Sequence, residues 1–178
     1  MNSILGIDPS TKSIGWGVIS RPSPRIKLIH VTPTLLSLSK AIWGYTDSGV
    51  IEVPEGPEIF KLKYAFDSIG DIVRKHRPRN IAIEGVFVGL NKKTALWQSE
   101  MNGAIKVGAY KASCCVPKVV VYAPRLVKKT VVGDGKSTKS RVADAVIEYL
   151  NQKPLNRFVD YNESDALAAA ITMAKLEF

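Results

Sequence analysis

The sequence lacks the long apolar runs and the spaced cysteines that are typical of membrane or secreted proteins. No apolar stretch reaches the roughly 20 residues that a membrane-spanning helix needs, and Met1 leads directly into a strand-like segment without a signal-peptide pattern. The only two cysteines, Cys114 and Cys115, are adjacent, and neighbouring cysteines rarely form a disulfide. We therefore expect no membrane association and a reducing, intracellular (cytoplasmic) setting.

Acidic residues are also scarce relative to basic ones. The chain has 25 Lys+Arg and 16 Asp+Glu, for a net charge of +9. Between Lys118 and Arg141 there are seven basic residues and a single acid, Asp134. Such a concentration of charge indicates a polyanionic partner, and nucleic acid is the one we expect. The residues predicted to contact it are Arg125, Lys128, Lys129, Lys136, Lys139 and Arg141.

The order of apolar patterns predicts an α/β fold on a mixed sheet, in a single domain over residues 1–178. Strand-like runs over 4–7 and 13–20 predict a hairpin, with a third strand over 26–31. Residues 32–56 allow either a strand near 44–51 or a long excursion. A helix begins at Glu58 and ends before Pro78. The remaining predicted elements are strands over 81–83 and 119–122, the latter in the centre of the sheet, and helices over 92–113, 124–132, 140–150 and from about 162.

Three acids occupy comparable places in this pattern. Asp8 ends the first strand, Glu84 ends a later strand, and Asp165 opens the last helix. Ligands of open α/β sheets bind at the carboxyl ends of the strands, so Asp8 and Glu84 converge if their strands are neighbours. Converging carboxylates suit hard divalent cations, and two such ions about 3.5–4 Å apart promote phosphodiester hydrolysis. Each acid alone also has an ordinary explanation as a turn, a loop acid or a helix cap.

Four runs of the sequence resemble RuvC-type Holliday-junction resolvases, which have an RNase H-like fold. The first is LGIDPS at 5–10 with GWGVI at 15–19, and the second is IAIEGVF at 81–87. RLVKKTVVGDG at 125–135 is the most specific run, and SDALAAAIT at 164–172 matches the last helix of the family. The runs occur in the family order and cover most of the chain except residues 32–56.

The resemblance implies a five-stranded RNase H-like domain that cuts four-way DNA junctions by paired symmetric nicks. It implies a homodimer and a requirement for Mg²⁺, with Mn²⁺ as a substitute; no partner helicase is identified by the sequence. Asp8, Glu84 and Asp165 match metal-ligand positions. Lys128 and Lys139 match basic positions near the scissile phosphate, and Phe87 matches an aromatic position that inserts at the junction centre.

One position departs from the family pattern. The family usually has a second acid one helical turn before Asp165, and this chain has Asn162 there. The amide oxygen of Asn162 is then a weak fourth metal ligand, and Asn162 is a candidate catalytic residue. Alternatively Asn162 is an inactivating substitution, or Glu163 reaches the metal because the helix begins later.

Two other functions are compatible with these patterns. The first is an RNase H-like nuclease that acts on RNA or on RNA–DNA hybrids, although the Lys128 run argues against it. The second is a junction-binding protein without catalysis, which Asn162 suggests. A panel of substrates with divalent ions distinguishes the three.

Overall fold

The computed structural model describes residues 2–21, 43–86, 92–150, 158 and 160–178. Its strands are β1 (Ser3–Pro9), β2 (Ser13–Ser20), β3 (Gly44–Glu52), β4 (Asn80–Glu84) and β5 (Lys118–Tyr122). Its helices are α1 (Glu58–His76), α2 (Lys92–Ala112), α3 (Pro124–Val132), α4 (Lys139–Leu150) and α5 (Tyr161–Glu177). None of the helices in these ranges is long and apolar enough to cross a bilayer.

The five strands form one mixed sheet in the order β3-β2-β1-β4-β5. β1 pairs antiparallel with β2 and parallel with β4, and β4 pairs parallel with β5. The predicted mixed five-stranded sheet flanked by helices is therefore confirmed. The prediction that residues 119–122 form a central strand is wrong, because β5 has a described neighbour on one side only. Its β-branched residues fit an edge strand equally well.

Other boundaries differ in smaller ways from the expectations. β1 continues past Asp8 to Pro9, because Asp8 and Pro9 still pair with Gly15 and Ile14 of β2. Residues 44–52 form β3, which answers the question left open for that region. The strand predicted over 26–31 lies outside the described residues.

The sheet separates two hydrophobic cores, because side chains alternate between its two faces. Leu5 and Ile7 of β1 point to the face that α1 and α2 cover, and Ile4 points to the face that α3, α4 and α5 cover. The first core includes Ile69, Val73, Ile81, Ile83, Met101 and Ile105; the second includes Ala82, Val127, Val146, Leu167, Ala170 and Ile171. We call the face with the first core the α2 side of the sheet and the face with the second core the α5 side.

Several apolar residues of α1 and α2 are exposed and do not pack against the sheet. Ile59 of α1 and Leu96 and Val107 of α2 project from the described structure, whereas Ala95, Met101 and Ile105 of the same helix α2 are buried. The sequence pattern identified the helices correctly but not which apolar positions face the sheet.

Candidate active site

Asp8 and Glu84 lie side by side on the α5 side of the sheet. In β1 the residues on this side are Ile4, Gly6 and Asp8, and in β4 they are Ala82 and Glu84. The parallel register pairs Ile7 with Ile83, so the two acids follow neighbouring positions at the carboxyl ends of adjacent strands. Both side chains are half-buried. The period of the pleat thus directs both carboxylates to the same face.

Helix α5 brings the third acid onto this face. A Cβ on Gly6 would lie 1.9 Å from the carbonyl oxygen of Ala166, so the backbone of α5 rests directly on β1. This close approach places the buried Asp165, the residue before Ala166, over the strand ends. The carboxylates of Asp8, Glu84 and Asp165 offer ligand atoms that all lie within 4.8 Å of one another. The structure therefore brings together the three acids that the sequence singled out.

Burial and mutual repulsion make this cluster hard to ionise without a cation. Burial and the charge of Asp165 raise the pKa of Asp8 from 3.8 to about 7. Burial, together with the charges of Asp8 and Asp165, raises the pKa of Glu84 from 4.5 to about 8. Burial also raises the pKa of Asp165, although the hydrogen bond from Lys139 opposes that rise. A divalent cation would remove the repulsion, and three clustered carboxylates supply the oxygen ligands that hard divalent ions prefer.

These pKa directions predict how stability depends on pH. Because the folded pKa values of Asp8 and Glu84 exceed their ordinary values, the folded state binds more protons than the unfolded state between about pH 4 and pH 8. Their contribution to stability is therefore lost as the pH rises through this window. A divalent cation bound by these acids would relieve the repulsion, so the rise in Tm on adding Mg²⁺ is expected to be larger at pH 8 than at pH 5.

The measurement is a set of thermal melts at both pH values, with EDTA and with Mg²⁺. Glu84→Gln is the matched control, because it keeps the shape of the side chain and removes one titrating group. It should reduce the dependence of Tm on pH. Equal Mg²⁺ increments at pH 5 and pH 8 in the wild-type protein would contradict the prediction.

Two lysines extend their charge into the acidic cluster. The Nζ of Lys139, at the start of α4, lies 2.9 Å from Oδ2 of Asp165. Burial lowers the pKa of Lys139, but the hydrogen bond to Asp165 and the nearby carboxylates outweigh burial and hold that pKa above its ordinary value. The charge of Lys128, on α3, opposes the burial that raises the pKa of Glu84 and of Asp165. Both cations thus border the place where a phosphate would meet the acids.

The other predicted DNA-contacting residues lie on, or between, the two helices that carry Lys128 and Lys139. All four are exposed, and none forms an ion pair with any residue in the described ranges. They lie on α3, in the segment between α3 and α4, and on α4, and they are Arg125, Lys129, Lys136 and Arg141. We call them, with Lys128 and Lys139, the basic surface. Phe87, the predicted junction-inserting residue, lies outside the described residues.

Asn162 and Glu163 point to different neighbours. The side-chain nitrogen of Asn162 donates to Oγ of Ser13 at 2.7 Å and to Oδ2 of Asp160 at 3.1 Å. Glu163 is buried and accepts a hydrogen bond from Oγ of Ser48 on β3 at 2.5 Å. The hypothesis that Glu163 turns toward the metal ligands does not fit this contact. Asn162 as a metal ligand remains a prediction.

Asp160 is a polar residue of this region that sequence reasoning missed. It is the N-cap of α5 and accepts a hydrogen bond from the backbone N–H of Asn162. An Asp two residues before the expected helix start was the available signal, because Asp is among the preferred N-cap residues.

Comparison with known proteins gives one consistent family. The model of the family described as "Crossover junction endodeoxyribonuclease RuvC" matches residues 4–173. A protein of that name from Teredinibacter turnerae is 31% identical over 98% of this chain and 88% of its own length. Another, from Orientia tsutsugamushi strain Ikeda, is 34% identical over 95% of this chain and 92% of its own length.

A solved structure has the same fold. It is the Thermus thermophilus RuvC in complex with a Holliday junction substrate, with a TM-score of 0.75 at 22% identity. The alignment covers 97% of this chain and 92% of that one. The similarity extends over nearly all of both chains, and it is consistent with the five-stranded sheet described above.

Proposed function

Because this chain belongs to the crossover junction endodeoxyribonuclease RuvC family, we propose that it resolves four-way DNA junctions by paired symmetric nicks. The observation that carries the proposal is the cluster of Asp8, Glu84 and Asp165 at the ends of adjacent strands. The basic surface beside the cluster supplies the charge that DNA binding needs. Without a cation the acids would repel a phosphodiester, so the cluster and the basic surface together fit metal-assisted phosphodiester hydrolysis.

The residues of the site divide the work of hydrolysis. Asp8, Glu84 and Asp165 hold Mg²⁺, for which Mn²⁺ substitutes, and the amide oxygen of Asn162 is a weaker fourth ligand. Bound divalent ions supply an activated water and stabilise the leaving oxygen. Lys139 and Lys128 donate hydrogen bonds to the oxygens of the scissile phosphate, where negative charge develops. Lys139 is already aimed at the cluster through Asp165.

The test of this function is a substrate panel with Mg²⁺ or Mn²⁺. The panel contains a synthetic four-way junction, the matching linear duplex and an RNA–DNA hybrid of the same sequence. We expect paired nicks in the junction and little cutting of the other two. Preferential cutting of the hybrid would favour an RNA-processing nuclease, and junction binding without nicking under any divalent ion would favour a binding protein.

The basic surface allows a separate prediction on DNA binding. Lys128→Ala is expected to reduce the slope of log K against log salt by about one unit, because one phosphate contact is lost. Lys63→Ala is the matched control, since Lys63 lies on α1 and pairs with Asp67. Binding is measured by titrating labelled junction at several salt concentrations without divalent ions. An unchanged slope in Lys128→Ala would mean that Lys128 does not contact phosphate during binding.

The paired nicks require two active sites, and α2 offers a surface for a homodimer. Leu96, Val107 and Tyr110 are 67%, 58% and 59% exposed, and their spacing of 11 and 3 residues places them on one face of the helix. Exposed apolar stripes of this kind favour a protein partner. A second copy of the chain is the partner that fits best, because two symmetric cuts call for two sites related by a twofold axis.

The dimer is tested with Val107→Glu, which places a charge in the middle of this face. Sedimentation velocity should give a dimer for the wild-type protein and a monomer for the variant. Leu176→Glu is the control, because Leu176 is similarly exposed but belongs to α5, on the other side of the sheet. A wild-type monomer would overturn the dimer, and dissociation caused only by Leu176→Glu would place its interface on another face.

The two cysteines support an intracellular, reducing location. Cys114 and Cys115 are free and exposed, just beyond the end of α2. Exposed thiols of this kind persist where the environment keeps them reduced.

A further inference from the structure

The first residues of α5 hold a fourth carboxylate in a fixed position. Asn162 contacts both oxygens of Asp160, since its backbone N–H donates to Oδ1 at 3.4 Å and its side-chain nitrogen donates to Oδ2 at 3.1 Å. The same side-chain nitrogen donates to Oγ of Ser13 on β2. Asp160 is thus attached to the sheet through one intermediate residue.

This attachment lies next to the acidic cluster. A Cβ on Gly15 would lie 1.9 Å from the carbonyl oxygen of Asn162, so the helix start rests on β2 at Gly15. Gly15 is the cross-strand partner of Asp8. Asp160, which Asn162 holds at this contact, therefore lies beside the end of β1 that carries Asp8.

We propose that Asp160 supplies the fourth negative charge of the metal centre, and that Asn162 is the positioning residue that holds it. The proposal rests on the metal site of the proposed function. Asp160 lies outside the set of directly converging ligand atoms, so it acts on a cation through a bound water, as carboxylates around Mg²⁺ commonly do.

This arrangement explains why asparagine is suited to position 162. An aspartate there would set two carboxylates within hydrogen-bonding distance of each other, and one of them would protonate or turn away. The amide of Asn162 replaces that repulsion with a hydrogen bond and leaves its own oxygen Oδ1 with no donor among the described residues. In this arrangement position 160, and not position 162, carries the negative charge.

The test measures Mn²⁺ binding to the intact protein by calorimetry and by electron paramagnetic resonance. Asp160→Asn removes the charge but keeps an equally good N-cap, so its Tm in EDTA should stay at or above the wild-type value. Its affinity for Mn²⁺ should fall about tenfold. Asp71→Asn, an exposed acid on α1, is the matched control and should bind like the wild-type protein.

The role of Asn162 is tested with a double-mutant cycle. Asn162→Ala alone should weaken Mn²⁺ binding, but most of this effect should disappear in the Asp160→Asn background, because Asn162 acts mainly through Asp160 and only weakly as a ligand itself. A full additive loss in the double variant would overturn the positioning role and make Asn162 a direct ligand.

The outcomes also separate this inference from the proposed function. If the wild-type protein binds Mn²⁺, Asp8→Asn abolishes binding and Asp160→Asn matches the wild type, only the role of Asp160 is overturned. If the wild-type protein does not bind Mn²⁺, the metal site itself is overturned and the role of Asp160 with it.

Discussion

Replacing Asp8 with asparagine is expected to reduce junction cleavage by about a thousandfold or more while junction binding persists. The loss corresponds to roughly 4 kcal/mol of transition-state stabilisation, which is the scale on which bound metal ions contribute. The ligand atom of Asp8 lies within 4.8 Å of those of both Glu84 and Asp165, so the substitution removes one of three converging metal ligands. Binding persists because the basic surface is unchanged and one negative charge has been removed.

Cleavage is measured in single turnover with Mg²⁺, and binding is measured with Ca²⁺ or EDTA. Asp71→Asn provides the comparison, because it removes an exposed acid of α1 that pairs with Arg74 on the same helix. Circular dichroism should show a folded Asp8→Asn protein, since the substitution removes a carboxylate that burial makes costly to ionise. Retention of more than about a tenth of the cleavage rate would exclude a central role for Asp8.

Gly6→Ala is expected to have the largest effect on stability, about 3 kcal/mol of destabilisation. The added Cβ would lie 1.9 Å from the carbonyl oxygen of Ala166 and 3.0 Å from the Cβ of Ala170. These are atoms of a buried helix, so α5 must shift as a unit. Because Asp165 precedes Ala166, the shift would also separate it from Asp8 and Glu84, and Mn²⁺ affinity should fall together with stability.

The free energy of unfolding is obtained from urea titrations without metal. Gly44→Ala is the matched control in the same sheet, where the nearest atom to the added Cβ is the carbonyl oxygen of Ser20 at 3.9 Å. It should change stability by less than about 1 kcal/mol. Equal effects of the two substitutions would show that α5 does not depend on the close approach at Gly6.

The convergence of the acids was predictable because it depends on local patterns. A strand places every second residue on one face, and parallel neighbours end at the same edge, so Asp8 and Glu84 could be assigned to one site on the condition that their strands are neighbours, which the structure supplies. To predict that Asp165 joins this site, one must also know the direction in which the last helix crosses the sheet. The resemblance supplied that direction, whereas residue types did not.

The remaining features depend on contacts that a sequence pattern does not encode. A β-branched run such as the one with Val119 and Val121 fits an edge strand as well as a central one, so the position of β5 in the strand order was not predictable. Leu96 and Val107 look like core residues, although α1 and the sheet leave them uncovered. Glu163 turns to Ser48 because of the rotation of α5 on β2 and β3, and this rotation is set by glycine contacts far away in sequence.

The division of the molecule by its sheet has a consequence for how two cuts are spaced. The acids lie on one face of the sheet and the exposed apolar residues of α2 lie on the other. With a twofold axis beside α2, the sheet of each protomer would therefore lie between its catalytic centre and the dimer interface. With helices about 8–10 Å apart across the axis and layers about 10 Å thick, the centres would be about 30 Å apart and open outward. Such a separation would let the two protomers reach different strands of one branched DNA without competing for the same phosphate.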